Sequence, residues 1–250
     1  MKNQYFGDNR DLFKYDFIDF IFKNNKISSI DSFTFIPMLT ENNNRNDGNQ
    51  TKIDKAKAGT KNAGLIAYLR ECRAENRKNI TEIKNYFLNH GIAIKIYGEN
   101  EFPVHGKYFE HKGRANYFEK IDPKLLSKAL IFVDPDNGLQ VMKSNEKHLL
   151  YSEVRSLNER MDKNSILMIY QHFPRENHIK YLARRSNELN DITGNSPIYI
   201  SDNEIIFFLL TKNDTMKDHL AKIITQYNES YKNLKIGNIN LGKFIANNIN

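Results

Sequence analysis

The chain has 250 residues, of which 40% are hydrophobic and 27% are charged, so it can bury one large core, and a globally disordered protein is excluded. Its only cysteine, Cys72, excludes an internal disulfide and a cysteine-based zinc site, which fits a reducing cytoplasm, and no apolar run is long enough to cross a membrane. The net charge of +7 favours a polyanionic partner, and we expect that partner to be nucleic acid.

The first half of the chain predicts two strands separated by a long inserted region. Apolar side chains recur at helical spacing in residues 9–24, which predicts an amphipathic helix. Residues 32–39 and 93–98 have the composition of strands. Between them, residues 41–92 begin as an asparagine-rich loop and become a basic helical stretch over residues 60–90. We therefore predict one domain that spans the whole chain and carries an inserted loop and basic helical subdomain.

The second half alternates strands and helices more regularly. The predicted strands cover residues 129–133, 165–170 and 204–210, and the predicted helices cover residues 145–162, 176–191 and 215–234. The strands are continuous apolar runs, which is typical of a parallel sheet buried on both faces. The alternation indicates βαβ units. The predicted fold class is α/β, a Rossmann-like, mostly parallel sheet with helices on both faces and an inserted helical region.

The first of these strands, ALIFV, ends abruptly in the acidic sequence DPDNG, residues 134–138. Ligands of open α/β sheets bind outside the carboxyl ends of the strands, which makes Asp134 a candidate site residue. Pro135 biases Asp134 away from helical backbone, and Gly138 permits a tight turn. The same sequence also suits an ordinary surface turn, so this stretch alone leaves both interpretations open.

Three motifs follow one another along the chain. Residues 5–15, YFGDNRDLFKY, keep a G-[ND]-x-x-D-[VL]-x-K spacing; Asp134-Pro135 closes an apolar strand; and Tyr170 and Pro174 follow the next strand. They resemble the opening motif, the Asp-Pro-Pro-Tyr signature and the Trp-Tyr-Pro turn of the RlmJ-type large-subunit ribosomal RNA adenine methyltransferase family. The resemblance implies a class I S-adenosylmethionine-dependent methyltransferase fold that modifies the exocyclic amine of a nucleobase.

The resemblance also implies roles for individual residues. Asp134 would orient the target amine and Asn137 would bind the edge of the base, whereas Lys14, with Glu99 or Glu41, would hold S-adenosylmethionine. Arginine side chains after the second motif strand suit nucleic-acid phosphates. The candidate catalytic residues are Asp134, Pro135, Asp136 and Asn137; the candidate cofactor-binding residues are Gly7, Asp8, Lys14, Thr40 and Glu99; the candidate substrate-binding residues are Tyr170, His172, Arg175, Arg184 and Arg185. No metal ligands belong to this set.

Two departures from the family pattern keep other functions open. The Gly-x-Gly turn after the first strand is absent, and Asp136 and Asn137 stand where the family has proline and tyrosine. Asp134 and Asp136, with His172 nearby, could instead bind a divalent metal and hydrolyse a phosphodiester. A third interpretation is a catalytically inactive module that binds nucleic acid or another protein. If the chain methylates a base, Tyr170 or Phe173 is the candidate to replace the missing aromatic ring.

Overall fold

The computed structural model describes residues 1–24, 30–43, 57–101, 108–231 and 234–238. Nine strands form a seven-stranded central sheet and a separate two-stranded sheet within these ranges. The strands are β1 (Ser32–Pro37), β2 (Ile94–Ile96), β3 (Ala129–Asp134), β4 (Gly138–Leu139), β5 (His148–Leu149), β6 (Ile166–His172), β7 (Ile198–Ser201), β8 (Ile205–Leu210) and β9 (Lys235–Asn238).

The helices begin and end at local signals that the sequence carries. The Asn177 side chain caps the helix that starts at His178, and Gly194, at φ +69°, ends that helix in a left-handed conformation. The α-helices of the described residues are α1 (Asn9–Asn24), α2 (Ala63–Ala74), α3 (Ile83–Asn89), α4 (Arg114–Glu119), α5 (Tyr151–Arg160), α6 (His178–Thr193) and α7 (Asp214–Ser230).

The central sheet has the strand order β2-β1-β3-β6-β8-β7-β9. Strands β2, β1, β3 and β6 pair in parallel, whereas β8 pairs antiparallel to both β6 and β7, and β9 pairs antiparallel to β7. Five strands therefore run in one direction, and β8 and β9 run in the other. The predicted α/β class with a mostly parallel, Rossmann-like sheet is confirmed.

The two faces of the sheet pack into two separate cores, because successive side chains of a strand point to opposite faces. In β3, Leu130 and Phe132 join the core formed with α1, α2, α3 and α7, whereas Ile131 and Val133 join the core formed with α4, α5 and α6. Phe132 is fully buried, and truncation of such a ring to alanine costs about 3–5 kcal/mol of folding free energy. Helices thus cover both faces, as the apolar strands require.

Several predicted boundaries change in the structure. The basic helical stretch over residues 60–90 divides into α2 and α3, which lie between β1 and β2 in the chain. Both helices pack on the first core. The helix predicted over residues 145–162 starts only at Tyr151, because residues 148–149 pair with β4. Strands β7 and β9 were not predicted. The part of the predicted asparagine-rich loop beyond residue 43 lies outside the described residues.

No helix in the described ranges combines the length and the apolar character that a membrane span needs. Cys72, on α2, is a buried free thiol in the first core.

Candidate functional site

The order of the strands indicates where a ligand would bind. From β1, the sheet continues to β2 on one side and to β3 on the other, so the strand order reverses at β1. Open α/β sheets bind ligands at this switch point, outside the carboxyl ends of the strands. The register pairs Pro37 with Asp134, and hence β1 and β3 end at the same level there.

A cavity of about 200 Å³ lies at this edge of the sheet. Its volume is below the range of about 300–1,000 Å³ that is common for small-molecule sites. The cavity would therefore hold a small ligand or one part of a larger ligand. Its walls combine acidic, basic and aromatic side chains from five stretches of the chain. They are Met1, Lys2, Tyr5, Phe6, Asp8, Arg10, Asp11, Lys14, Asn43, Asp134, Pro135, Asp136, Lys147, Tyr170 and His172.

A buried ion cluster forms the floor of the cavity. The Nζ atom of Lys14 lies 2.9 Å from Oδ2 of Asp134 and 3.2 Å from Oδ1 of Asp11. The three side chains are 1–7% exposed. Burial alone would lower the pKa of Lys14, but the carboxylates of Asp134 and Asp11 outweigh it and raise that pKa well above its ordinary value. Lys14 is therefore a permanent cation, held against the end of β3.

The turn before α1 places these groups. Gly7 adopts φ +81°, and its N–H donates to Oδ2 of Asp11 at 2.8 Å. Asp8 accepts hydrogen bonds from the N–H groups of Arg10 and Asp11, which caps the start of α1. Burial, followed by the neighbouring charge of Asp11, raises the pKa of Asp8 to about 7. The N–H groups at the start of α1 are thus already engaged by a carboxylate of the chain itself.

Lys14 does not lie on a solvated face of α1, because every residue from Asp11 to Asp19 is buried. Its apolar residues pack on the sheet, on α2 and on α7. The ammonium group of Lys14 sits 4.5 Å above the centre of the Tyr170 ring, in a cation–π contact. Tyr170 is 2% exposed, so its ring supports Lys14 and is not available for stacking on a base.

One carboxylate oxygen at the end of β3 is unsatisfied. Asp134 is 1% exposed, and while its Oδ2 bonds to Lys14, its Oδ1 has no hydrogen-bond partner in the described part of the chain. A buried acceptor left without a donor costs about 1–3 kcal/mol, so a donor that reaches this oxygen would be bound favourably. Buried polar groups without a partner are rare in folded proteins, so this oxygen calls for an explanation.

Asp134 and Asp136 turn to different partners, although they are two residues apart. Oδ2 of Asp136 accepts a hydrogen bond from the hydroxyl of Thr40 at 3.1 Å, and Thr40 itself is buried outside the cavity lining. The expected cofactor contact of Thr40 is thus replaced by a contact that holds Asp136. Across the described residues, no group of three or more His, Cys, Asp or Glu side chains is arranged to hold a metal ion.

The turn after β3 is held from the next strand. Gln171 Oε1 accepts a hydrogen bond from the N–H of Leu139 at 2.7 Å. The backbone N–H of the exposed Asn137 donates a hydrogen bond to the carbonyl of Lys147. Gly138 has φ +104°, and an added Cβ would lie 2.4 Å from the Gln171 side chain. The small β4–β5 sheet therefore fixes the DPDNG turn as a rigid wall. Asn137 is not among the residues that line the cavity.

His172 lies at the opposite side of the cavity and pairs with Tyr170. The Tyr170 hydroxyl is 3.0 Å from Nε2 of His172. Burial, with smaller effects from Arg10 and Lys14, lowers the pKa of His172 to about 3. The imidazole is therefore neutral at physiological pH and serves as a polar, uncharged part of the wall.

The other predicted residues lie away from this cavity. Glu99 follows β2 and accepts hydrogen bonds from Lys84 at 2.7 and 2.8 Å. Arg175 is exposed, and Arg184 is half exposed and bonds to Glu176. Arg185 is buried and donates to the Gln140 carbonyl, the Tyr151 hydroxyl and Glu188, which ties α6 to α5. These contacts give Arg185 a structural role.

The structure adds cavity residues that the motifs did not single out for a role. Asp11 belongs to the opening motif but was not assigned, and it is the second partner of Lys14. Arg10 and Lys147 add positive charge to the wall. The Nε atom of Arg10 makes no hydrogen bond to the described residues, although Oε2 of Glu204 lies 3.7 Å away. The i, i+3 spacing of Asp11 and Lys14 was the one signal available in the sequence.

Comparison of the chain with protein-family models, with curated proteins and with solved structures gives no match.

Proposed function

We propose that this chain transfers a methyl group from S-adenosylmethionine to an amino group of a nucleic-acid base. The observation that carries the proposal is the unsatisfied Oδ1 of Asp134, buried at the switch point of a Rossmann-like sheet. A base amine is a neutral N–H donor, and a carboxylate with one oxygen held by a lysine offers its second oxygen to such a donor.

The cavity walls fit the charges of the methyl donor. The amino-acid end of S-adenosylmethionine carries both an ammonium and a carboxylate, and the walls offer both acids and cations. Arg10 and Lys147 suit the carboxylate. Asp136 already pairs with an ammonium, the N-terminus of Met1 at 3.5 Å, and the ligand's ammonium would exchange with it. Glu99, after β2, is the acid that would bind ribose hydroxyls, in exchange for its present contacts to Lys84. When bound, the cofactor supplies an electrophilic methyl group.

Lys14 contributes by holding the Asp134 carboxylate fixed in direction. Methyl transfer from a sulfonium to an amine depends mainly on positioning, because the reacting atoms must lie in line at contact distance. A carboxylate that accepts the amine N–H orients the nitrogen lone pair towards the donor. The neutral His172 and the buried Tyr170 complete a wall that adds no competing charge on that side.

The charge of the chain supports nucleic acid as the substrate. The net charge is +7, and the exposed cations include Arg70 and Lys78 on and after α2. Arg77, in contrast, is engaged by Glu71, Glu75 and Glu82. Contacts between such cations and the phosphates of a nucleic acid would make the affinity fall as the salt concentration rises.

The test combines cofactor binding with methyl transfer. We expect S-adenosylmethionine to bind in isothermal titration calorimetry and label to pass from the radiolabelled cofactor to total RNA or to DNA. The variant Asp134→Asn should keep cofactor binding and lose transfer at least tenfold, because the amide cannot keep the ionic contact to Lys14 that orients the acceptor oxygen. The matched control is Asp218→Asn on the exposed surface of α7, which should behave like wild type. Absence of binding at millimolar cofactor would refute the proposal.

A further inference from the structure

A second cavity, of about 250 Å³, lies between the carboxyl-terminal halves of α1 and α7. None of the residues that line it lines the cavity at Asp134. Two acidic side chains of α1, Asp16 and Asp19, line it together with the tyrosines Tyr227 and Tyr231. The cavity therefore combines buried negative charge with aromatic surface.

Asp19 is the feature that points to a ligand. It is 2% exposed, and its Oδ1 has no hydrogen-bond partner among the residues that the structure describes. Its Oδ2 accepts from Lys23 at 2.5 Å, and the amide of Asn62 lies 3.4 Å away. A buried carboxylate with an unused oxygen attracts a cationic donor, because charged hydrogen bonds are stronger than neutral ones.

Asp16 differs from Asp19 in being fully engaged. Oδ2 of Asp16 accepts from the hydroxyls of Tyr227 and Tyr231 at 2.7 and 3.0 Å, and Oδ1 accepts from Asn62 at 2.9 Å. These bonds fix both tyrosine rings at the cavity wall. Asp16 thus builds the wall, and Asp19 keeps the free acceptor.

The aromatic wall already contacts a cation. Nζ of Lys61, an exposed lysine, lies 5.5 Å from the centre of the Tyr231 ring, within the range of a cation–π contact. The other cation at the cavity is Lys23, whose side chain is 55% exposed. Asp19 is buried and Lys23 is exposed, so Lys23 is the partner that can move into solvent when a ligand ammonium competes for the carboxylate.

We infer that this cavity binds a small primary alkylammonium ion. Its charged head bonds to the free Oδ1 of Asp19, in competition with Lys23 at Oδ2, and its alkyl chain lies against Tyr227 and Tyr231. The volume suits a ligand of a few carbon atoms, and an aromatic wall beside a carboxylate is the chemistry that recognises organic ammonium groups. This inference is independent of the proposed methyl transfer, because the two sites share no lining residue.

The test uses butylamine and its neutral analogue 1-butanol as probes of the full chain in calorimetric titrations. We expect butylamine to bind at least tenfold more tightly than 1-butanol. The variant Asp19→Asn should weaken butylamine binding at least tenfold, whereas Lys23→Ala should strengthen it, because the competing ammonium is removed. The control Lys222→Ala removes the same charge from the exposed surface of α7 and should leave the affinity unchanged.

The alternative is that Asp16, Asp19 and Asn62 only join α1, α2 and α7. In that case the variants change the thermal unfolding midpoint but not the difference between the amine and the alcohol. Equal affinity for the two probes in wild type, or Lys23→Ala without tighter amine binding, overturns the inference. Lys23 is exposed, so its replacement tests the inference even where Asp19→Asn fails to fold.

Discussion

Replacement of Lys14 by methionine should destabilise the fold strongly. The Lys14 ammonium lies 2.9 Å from Asp134 and 3.2 Å from Asp11, in a place where all three side chains are buried. Methionine is also long, flexible and apolar, so the change removes the charge without opening a large cavity. The loss of stability should therefore come from the two carboxylates that remain.

The geometry sets the expected magnitude. With an effective dielectric constant of about 20, each contact corresponds to roughly 5 kcal/mol of coulombic attraction, most of which offsets the cost of burying the charges. Removal of one partner from a buried ion pair costs about 3–5 kcal/mol. Whole domains are stable by about 5–15 kcal/mol, so Lys14→Met should remove a large part of the free energy of unfolding.

Urea unfolding followed by circular dichroism measures this loss at pH 7.5 for wild type, Lys14→Met, Asp134→Asn and the double variant. The double variant should lose less than the sum of the single variants, by about 2 kcal/mol, because the two side chains interact directly. Lys14→Met should also regain stability as the pH falls. Burial raises the pKa of the Asp11 carboxyl and Lys14 opposes that rise, so without the lysine the pKa of Asp11 rises further and the folded state binds more protons than the unfolded state.

Two results would refute this account of the cluster. One is a loss of less than about 1 kcal/mol in Lys14→Met, a value typical of an exposed ion pair. The other is strict additivity of Lys14→Met and Asp134→Asn.

Three further predictions concern single side chains. Because burial raises the pKa of Asp8 to about 7, the folded chain holds an extra proton between about pH 4 and 7, so the free energy of unfolding should fall as pH rises through that window, by at most about 1.4 kcal/mol per pH unit; Asp8→Asn, which keeps the helix cap, should reduce the slope, and an unchanged slope would contradict this. Arg114→Leu breaks two buried hydrogen bonds to Glu153, at 2.5 and 2.9 Å, and should lower the free energy of unfolding in urea by about 3 kcal/mol. Most of that loss should be recovered when Glu153 is also replaced by leucine, and no recovery would argue against a paired role. Gly138→Ala forces a Cβ against Gln171 at φ +104° and should cost about 1–3 kcal/mol in thermal unfolding, so a wild-type midpoint would be the contrary result.

The alternation of apolar runs and helical periods was enough to predict the α/β class. A run such as residues 129–133 is stable only where both faces of a strand are covered, and that requirement is local to the chain. The same local pattern placed Asp134 at the carboxyl end of β3. The short strands β7 and β9 were missed because their pairing depends on β8 and on each other, not on their own composition.

The chemistry of the candidate site was less predictable. Helical spacing predicted an amphipathic α1, but the structure buries every residue of α1 from Asp11 to Asp19, Lys14 included. Arg184 and Arg185 are adjacent in sequence, yet one is exposed and the other ties α5 to α6. Burial depends on which elements pack around a residue, and the pattern of one segment does not report it.

By itself, the sequence determined the class of fold and the position of one carboxylate at a strand end, because strand length, apolar runs and turn residues act over a few neighbours. Only the tertiary structure decided what that carboxylate does. Lys14 and Asp134 are 120 residues apart, and they meet because α1 packs on the face of the sheet to which Asp134 points. That contact satisfies one oxygen of Asp134 and leaves the other without a hydrogen-bond partner among the described residues, a result of packing between distant segments that no local pattern encodes.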